Sequence, residues 1–216
     1  MIRAGWLIPY AVLLALVSVA ISPLAAAEIQ TSPDQASKFV QDLGGQAMTL
    51  LAEYPDGDTR TLQSELRDLI HRSFDLDLIG RFALGPAWET ATPAQQQEYQ
   101  ELFAQWTADT YARRLGADRG GASLTVVGAQ PGLDTPDAVV RTQINRPDGI
   151  SIAMNLRVHD SGGQLKVVDV SMAGVSMAVT QRDEFASIIQ RKGIDGLIGD
   201  LRAHVNDNLR VQAAQR

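Results

Sequence analysis

The chain has 216 residues, 45% of them hydrophobic, with a formal charge of −6 and no cysteine. That is enough apolar material for one packed domain, and the lack of thiols excludes disulfide staples, thiol catalysis and thiolate metal sites. The acidic balance, with no basic stripe, excludes a nucleic-acid surface.

Residues 1–27 read as a secretory leader. Arg3 is the only charge before Glu28, an apolar run extends from Ala4 to Ile21, and Ala25-Ala26-Ala27 offers the small residues a signal peptidase needs. Pro9 and Pro23 interrupt the run, which favours cleavage after Ala27 over a retained anchor. The remaining 189 residues, 28–216, are expected to form a single exported domain; losing Arg3 takes its charge from −6 to −7.

Ser32-Pro33, with Gln35 three residues after the serine, predicts a capped helix whose apolar face is Ala36, Phe39, Val40, Leu43, Ala47, Leu50 and Leu51. Residues 55–58 (PDGD) predict a turn. A second helix carries Leu62, Leu66, Leu69 and Ile70. A short third carries Leu76, Ile79 and Phe82 and stops at Gly85-Pro86. Thr92-Pro93-Ala94-Gln95 is a second capping box, opening the longest helix, with Tyr99, Leu102, Phe103, Trp106, Tyr111 and Leu115 on its apolar side.

After Gly121 the period changes to two. Strands are predicted over 123–129, 138–145, 150–158 and 164–172, with hairpin turns at 147–149 and 160–163. Short loops make the last three strands an antiparallel meander. Two helices, 183–191 and 194–209, close the chain around Gly193, with a frayed tail from Val211. Helices, then antiparallel strands, then helices is an α+β order.

The candidate chemistry is sparse. His71, His159 and His204 have no metal-binding spacing. Asp75 and Asp77 form a carboxylate pair, but a helix cap accounts for one of them. Asp169, mid-strand between two valines, would serve as a general base with Tyr111 in a lyase or isomerase; pairing with Arg141 or Arg157 on a neighbouring strand is the structural reading. No GxSxG elbow or phosphate-cradling glycine motif occurs. Alternation and amphipathicity place Val140, Ile144, Ile152, Met154, Leu156, Val168, Val170 and Met172 on one apolar sheet face. Tyr99, Phe103, Trp106 and Tyr111 lie on the facing helix, with Phe82, Val175 and Met177 near the mouth or base of any space between them. Whether these residues fill a core or line a cavity is open at this level, so an adaptor protein with a solid core is a third class of function.

Four blocks carry a resemblance that spans nearly the whole mature chain: FDLDLIGRFALGPAW from Phe74 to Trp88, Thr92-Pro93 with Gln95 and Leu102-Phe103, Val167 to Met177, and KGIDGL from Lys192. In this order and at these intervals they resemble the MlaC, or toluene-tolerance, family of periplasmic phospholipid-binding proteins. Members commonly carry aromatic residues where this chain has Leu165, Val168 and Gln181, which implies a different cavity shape and leaves a hopanoid-associated branch open. The resemblance implies a strongly curved, nuclear-transport-factor-like sheet against a helical lobe. It also implies a non-enzymatic periplasmic monomer without cofactor, holding phospholipid acyl chains between sheet and helices. Its partners would be an outer-membrane lipoprotein complex and an inner-membrane ABC transporter complex with a lipid-binding subunit, together maintaining outer-membrane lipid asymmetry.

Overall fold

The computed structural model describes residues 30–54, 59–117 and 121–214. The expected leader and its cleavage after Ala27 lie outside these residues, as does the turn at 55–58. The elements in chain order are α1 (Pro33–Glu53), α2 (Thr59–Ser73), α3 (Leu76–Leu84), α4 (Ala87–Thr90), α5 (Pro93–Ala117), β1 (Ser123–Pro131), β2 (Ala138–Asn145), β3 (Ser151–Ser161), β4 (Gln164–Met172), β5 (Val175–Ser176) and α6 (Met177–Ala214).

The strands form one antiparallel sheet in the order β1-β2-β3-β4-β5. Two of its turns are two-residue loops with positive φ at both positions, Gly162-Gly163 and Ala173-Gly174. That backbone matches the right-handed twist of paired strands. Irregular steps in register, at Val127 on β1 and Val168 on β4, add the local twist that curves the sheet. The second step shifts the expected alternation. Val167, not Val168, pairs with Val158 and joins the inner face, while Val168 becomes the extra residue.

α1 covers one end of that inner face. Ala36 and Val40 pack with Ala138, Val140, Leu156, Val158 and Val167. Further along, Gly44 lets α1 approach β1 so closely that a Cβ there would sit 3.0 Å from Leu124 Cδ2. The start of α1 is pinned through Thr31, whose N–H donates to the Pro136 carbonyl and whose hydroxyl accepts from Asp160 N–H. Ser32 occupies the N-cap position without a side-chain cap bond, so the expected capping box is not formed there. The second one is formed: Thr92 N–H donates to Gln95 Oε1 at 2.9 Å, and Gln95 N–H to Thr92 Oγ1 at 3.3 Å.

The helical lobe is built on α5. Leu62, Leu66 and Ile70 of α2 pack on Ala108 and Ala112, and a partly buried Arg67–Asp109 pair at 3.1 Å joins the same two helices. α3 crosses close to α5 at Gly80, where a Cβ would sit 2.8 Å from the Phe103 ring. α6 starts at Met177, six residues before the expected Asp183, and continues to Ala214. It breaks at Gly193 (φ 71°, ψ 177°), so the expectation of two helices meeting there holds in substance. The halves flank α5. Phe185 meets Tyr99, Phe103 and Trp106, and then Asp195, Arg202 and Asn208 bond Gln95, Glu98 and Arg113 in turn. The second half therefore runs alongside α5 in the same direction.

Candidate functional site

Fourteen of the fifteen residues expected to line a cavity fall into three environments; Tyr111 instead packs half-buried against the α2–α5 core of Leu62, Leu66 and Ala108. Tyr99, Phe103 and Trp106 stack with Phe185 in the centre of the helical lobe, with ring centroids 5.7 to 6.2 Å apart. Tyr99 is fully buried, and its hydroxyl donates to the Gly80 carbonyl at 2.9 Å. This stretch of α5 packs against α3 and α6, because α1 occupies the sheet face it was expected to meet. Val140 and Leu156 belong to the packed core beneath α1, and Val168 is buried at the β4 irregularity.

A second group lies at the surface. Phe82 is half-buried beneath the Arg182 guanidinium, 4.9 Å from its ring centroid. Val175, on β5, is 55% exposed.

The third group shares one neighbourhood on the sheet. Ile144 pairs with Ile152, Met154 with Met172, and Leu156 with Val170. Apart from Leu156, every one of these side chains is half-buried. Ile144, Ile152 and Met172 belong to none of the three packed cores, nor does the half-buried Met177 that follows β5. The inner face is thus sealed at its Ala138–Val158 end and only partly buried toward its Ile144–Ile152 end. A partly buried strip of isoleucine and methionine outside the packed cores is suited to flexible apolar ligands, since methionine adapts its shape at little cost.

On the other face of β4, polar groups meet the first turn of α6. Asp169 does not pair with a strand arginine. Its Oδ1 accepts from Ala178 N–H at 3.1 Å, capping the first turn of α6. Arg157 turns instead toward the buried Asp137 (Nε–Oδ2 3.6 Å), which also bonds His159 Nδ1 at 2.7 Å. Burial pushes the Tyr111 phenol up; Arg114 opposes this, while Glu184 and Asp169 reinforce it. The Tyr111 proton is therefore held firmly, and one Asp169 oxygen is committed to a helix, a poor arrangement for proton transfer. Asp75 caps α3 through Leu78 N–H at 2.9 Å and accepts from Ser161, as the cap reading expects.

Two open clefts have walls of mixed polar and apolar side chains. One, of about 320 Å³, lies between His71, Asp75, Asp77, Ser161 and Lys166. The other follows α1 past Gln41, Asp42, Gln46, Glu53 and Arg72. Among the described residues no group of three potential ligands could hold a metal ion, and no helix is long and apolar enough to cross a membrane. Sequence reasoning missed Gly80 and Val167. Only the Val167-Val168 doublet, which breaks strict alternation, hinted at the shifted register.

Residues 45–203 match the family described as MlaC protein. The toluene tolerance protein ttg2D of Pseudomonas putida is 25% identical over 193 residues, covering 86% of this chain and 88% of that protein. A solved structure of a phospholipid-binding protein from Ralstonia solanacearum, in complex with a phospholipid, matches with a TM-score of 0.68 at 27% identity. It covers 80% of this chain and 97% of that one.

Proposed function

The chain belongs to the MlaC family, and on that premise we propose that it is a periplasmic phospholipid carrier. The acyl chains lie on the partly buried strip of Ile144, Ile152, Met172 and Met177, flanked by Met154 and Val170 where the core beneath α1 ends. The observation that carries this reading is a sheet face left half-buried where a solid core would be closed. A phospholipid-bound relative of the same fold supports it. Each buried methylene contributes about 0.8 kcal/mol, so one long acyl chain supplies on the order of 10 kcal/mol before the costs of association. Extraction from a bilayer then needs an apolar groove and no catalytic group.

The carrier moves lipid between an outer-membrane lipoprotein complex and an inner-membrane ABC transporter complex, and so maintains outer-membrane asymmetry. The acidic mature chain is repelled by anionic bilayers, which favours handover through protein docking over adsorption to lipid.

Ile152→Arg and Val170→Arg place a charge on the strip at half-buried positions, where the side chain can reach solvent and folding is spared. Each is expected to cut copurifying phospholipid to about a tenth or less, since a desolvated charge against acyl chains costs more than 1.4 kcal/mol. The measurement is phosphorus per protein after detergent-free purification, with circular dichroism to confirm folding. Folded variants that retain lipid at the wild-type level would show that the chains lie elsewhere.

A further inference from the structure

We propose that the corner where β5 enters α6, together with the adjoining face of α3, is a docking surface for a partner protein that meets it with apolar side chains and carboxylates. This rests on the carrier reading and deepens it, by naming the surface at which lipid changes hands.

Val175 of β5 pairs with Met172 of β4. Directly opposed residues share a sheet face, so the partly buried strip ends on Val175, which is 55% exposed. Val179, four residues later, is 40% exposed. Its N–H donates to Ser176 Oγ, which ties it to the same corner. Arg182, three residues on, reaches α3 and lies over the Phe82 ring, 4.9 Å from its centroid. Leu78, Arg81 and Phe82 stand at i, i+3 and i+4 of α3 and share one helix face. Leu78 is 42% exposed, and the Arg81 guanidinium lies over Trp88, 5.1 Å from the centroid. Two arginine–aromatic pairs thus adjoin three exposed aliphatic side chains. Arginine and tryptophan are enriched among the residues that anchor protein interfaces.

Charge selects the occupant. Arg67, Arg157 and Arg202 each pair with a carboxylate of this chain. Arg81 and Arg182 have ring contacts and, among the described residues, no ion pair. A guanidinium stacked on a ring keeps its edge donors for a carboxylate, which accepts them in pairs. The exposed Glu89 and Asp183 adjoin Trp88 and Arg182 in sequence. They repel a uniformly anionic bilayer, and favour a partner that sets single carboxylates opposite the two arginines.

The test replaces Val179 with the photocrosslinker benzoylphenylalanine in the full chain expressed in cells, with Leu209, exposed near the other end of α6, as the control position. The expected result is an adduct at Val179, absent at Leu209, with an envelope protein whose crosslinked segment, mapped by mass spectrometry, carries Asp or Glu. Arg81→Glu with Arg182→Glu is expected to cut that adduct about five-fold or more, the scale of losing solvent-exposed charge pairs. Changing the mapped carboxylate to Lys is expected to restore it. Arg81→Gln with Arg182→Gln gives a smaller loss, and carries the test if circular dichroism shows the Glu pair unfolded. An adduct unchanged in folded variants would overturn the proposal. So would no adduct at Val179, or one with lipid, with a second copy of this chain, or with a segment lacking carboxylates. Phospholipid copurifying with the variants is expected to match the wild type. A wild type without phospholipid would overturn the carrier reading, independently of the crosslink.

Discussion

Tyr99 and Asp169 show what a single residue's surroundings add to its identity. On the sequence Tyr99 is one apolar side chain along a long helix. In the fold its hydroxyl is buried and donates to the Gly80 carbonyl. Burial drives its pKa far above the ordinary phenol range. Below pH 10 neither folded nor unfolded chain releases this proton, so stability is flat with respect to it. Above pH 10 the unfolded chain releases it and the native chain does not, so stability falls as pH rises. Tyr99→Phe is expected to make that alkaline fall shallower, at a cost of about 1 kcal/mol near neutrality from the lost hydrogen bond. Urea melts across pH 8 to 11 would check this; an equally steep fall in the variant would place the ionising group elsewhere. Asp169 was legible as a constrained carboxylate, but its partner was not. The N–H it caps lies nine residues on, beyond a hairpin, and nothing in the local pattern fixes that approach.

At the scale of elements, close packing decides more than composition. Gly80 sits within α3, where glycine lowers helix propensity, yet a methyl there would press on Phe103 and Gln100 of α5. Gly80→Ala is therefore expected to destabilise the protein by about 1–3 kcal/mol through overpacking, against the gain that helix propensity alone would give. Thermal unfolding checks the sign, and a raised melting temperature would mean that α3 moves freely on α5. β2 and β4 were legible to the residue, because alternation and turn glycines are local signals. The four-residue α4 and the two-residue β5 were not, since neither is long enough to show a period. The register of β4 was misread at Val168 because the irregularity is set by pairing with β3. The early start of α6 depends on the Asp169 cap, a contact across the fold.

At the scale of the whole molecule, the α+β order was legible, and so were most residues of the apolar strip. What the sequence could not divide was one long list of apolar residues into filled and unfilled regions. α1 closes the sheet over Val140 and Leu156, and Phe185 closes the aromatic centre of α5, both through contacts distant in sequence. The side chains from Ile144 to Met177 outside the packed cores are left only partly buried by those closures, and the proposed function depends on their being covered by lipid. The measurement that bears on this most directly is native mass spectrometry of the protein purified from periplasm without detergent, followed by lipid extraction. The expected result is a folded protein carrying discrete mass increments that match phospholipid, released when the complex is activated. A bare polypeptide mass, unchanged after incubation with phospholipid vesicles, would contradict the carrier function; increments matching hopanoids would contradict phospholipid as its ligand.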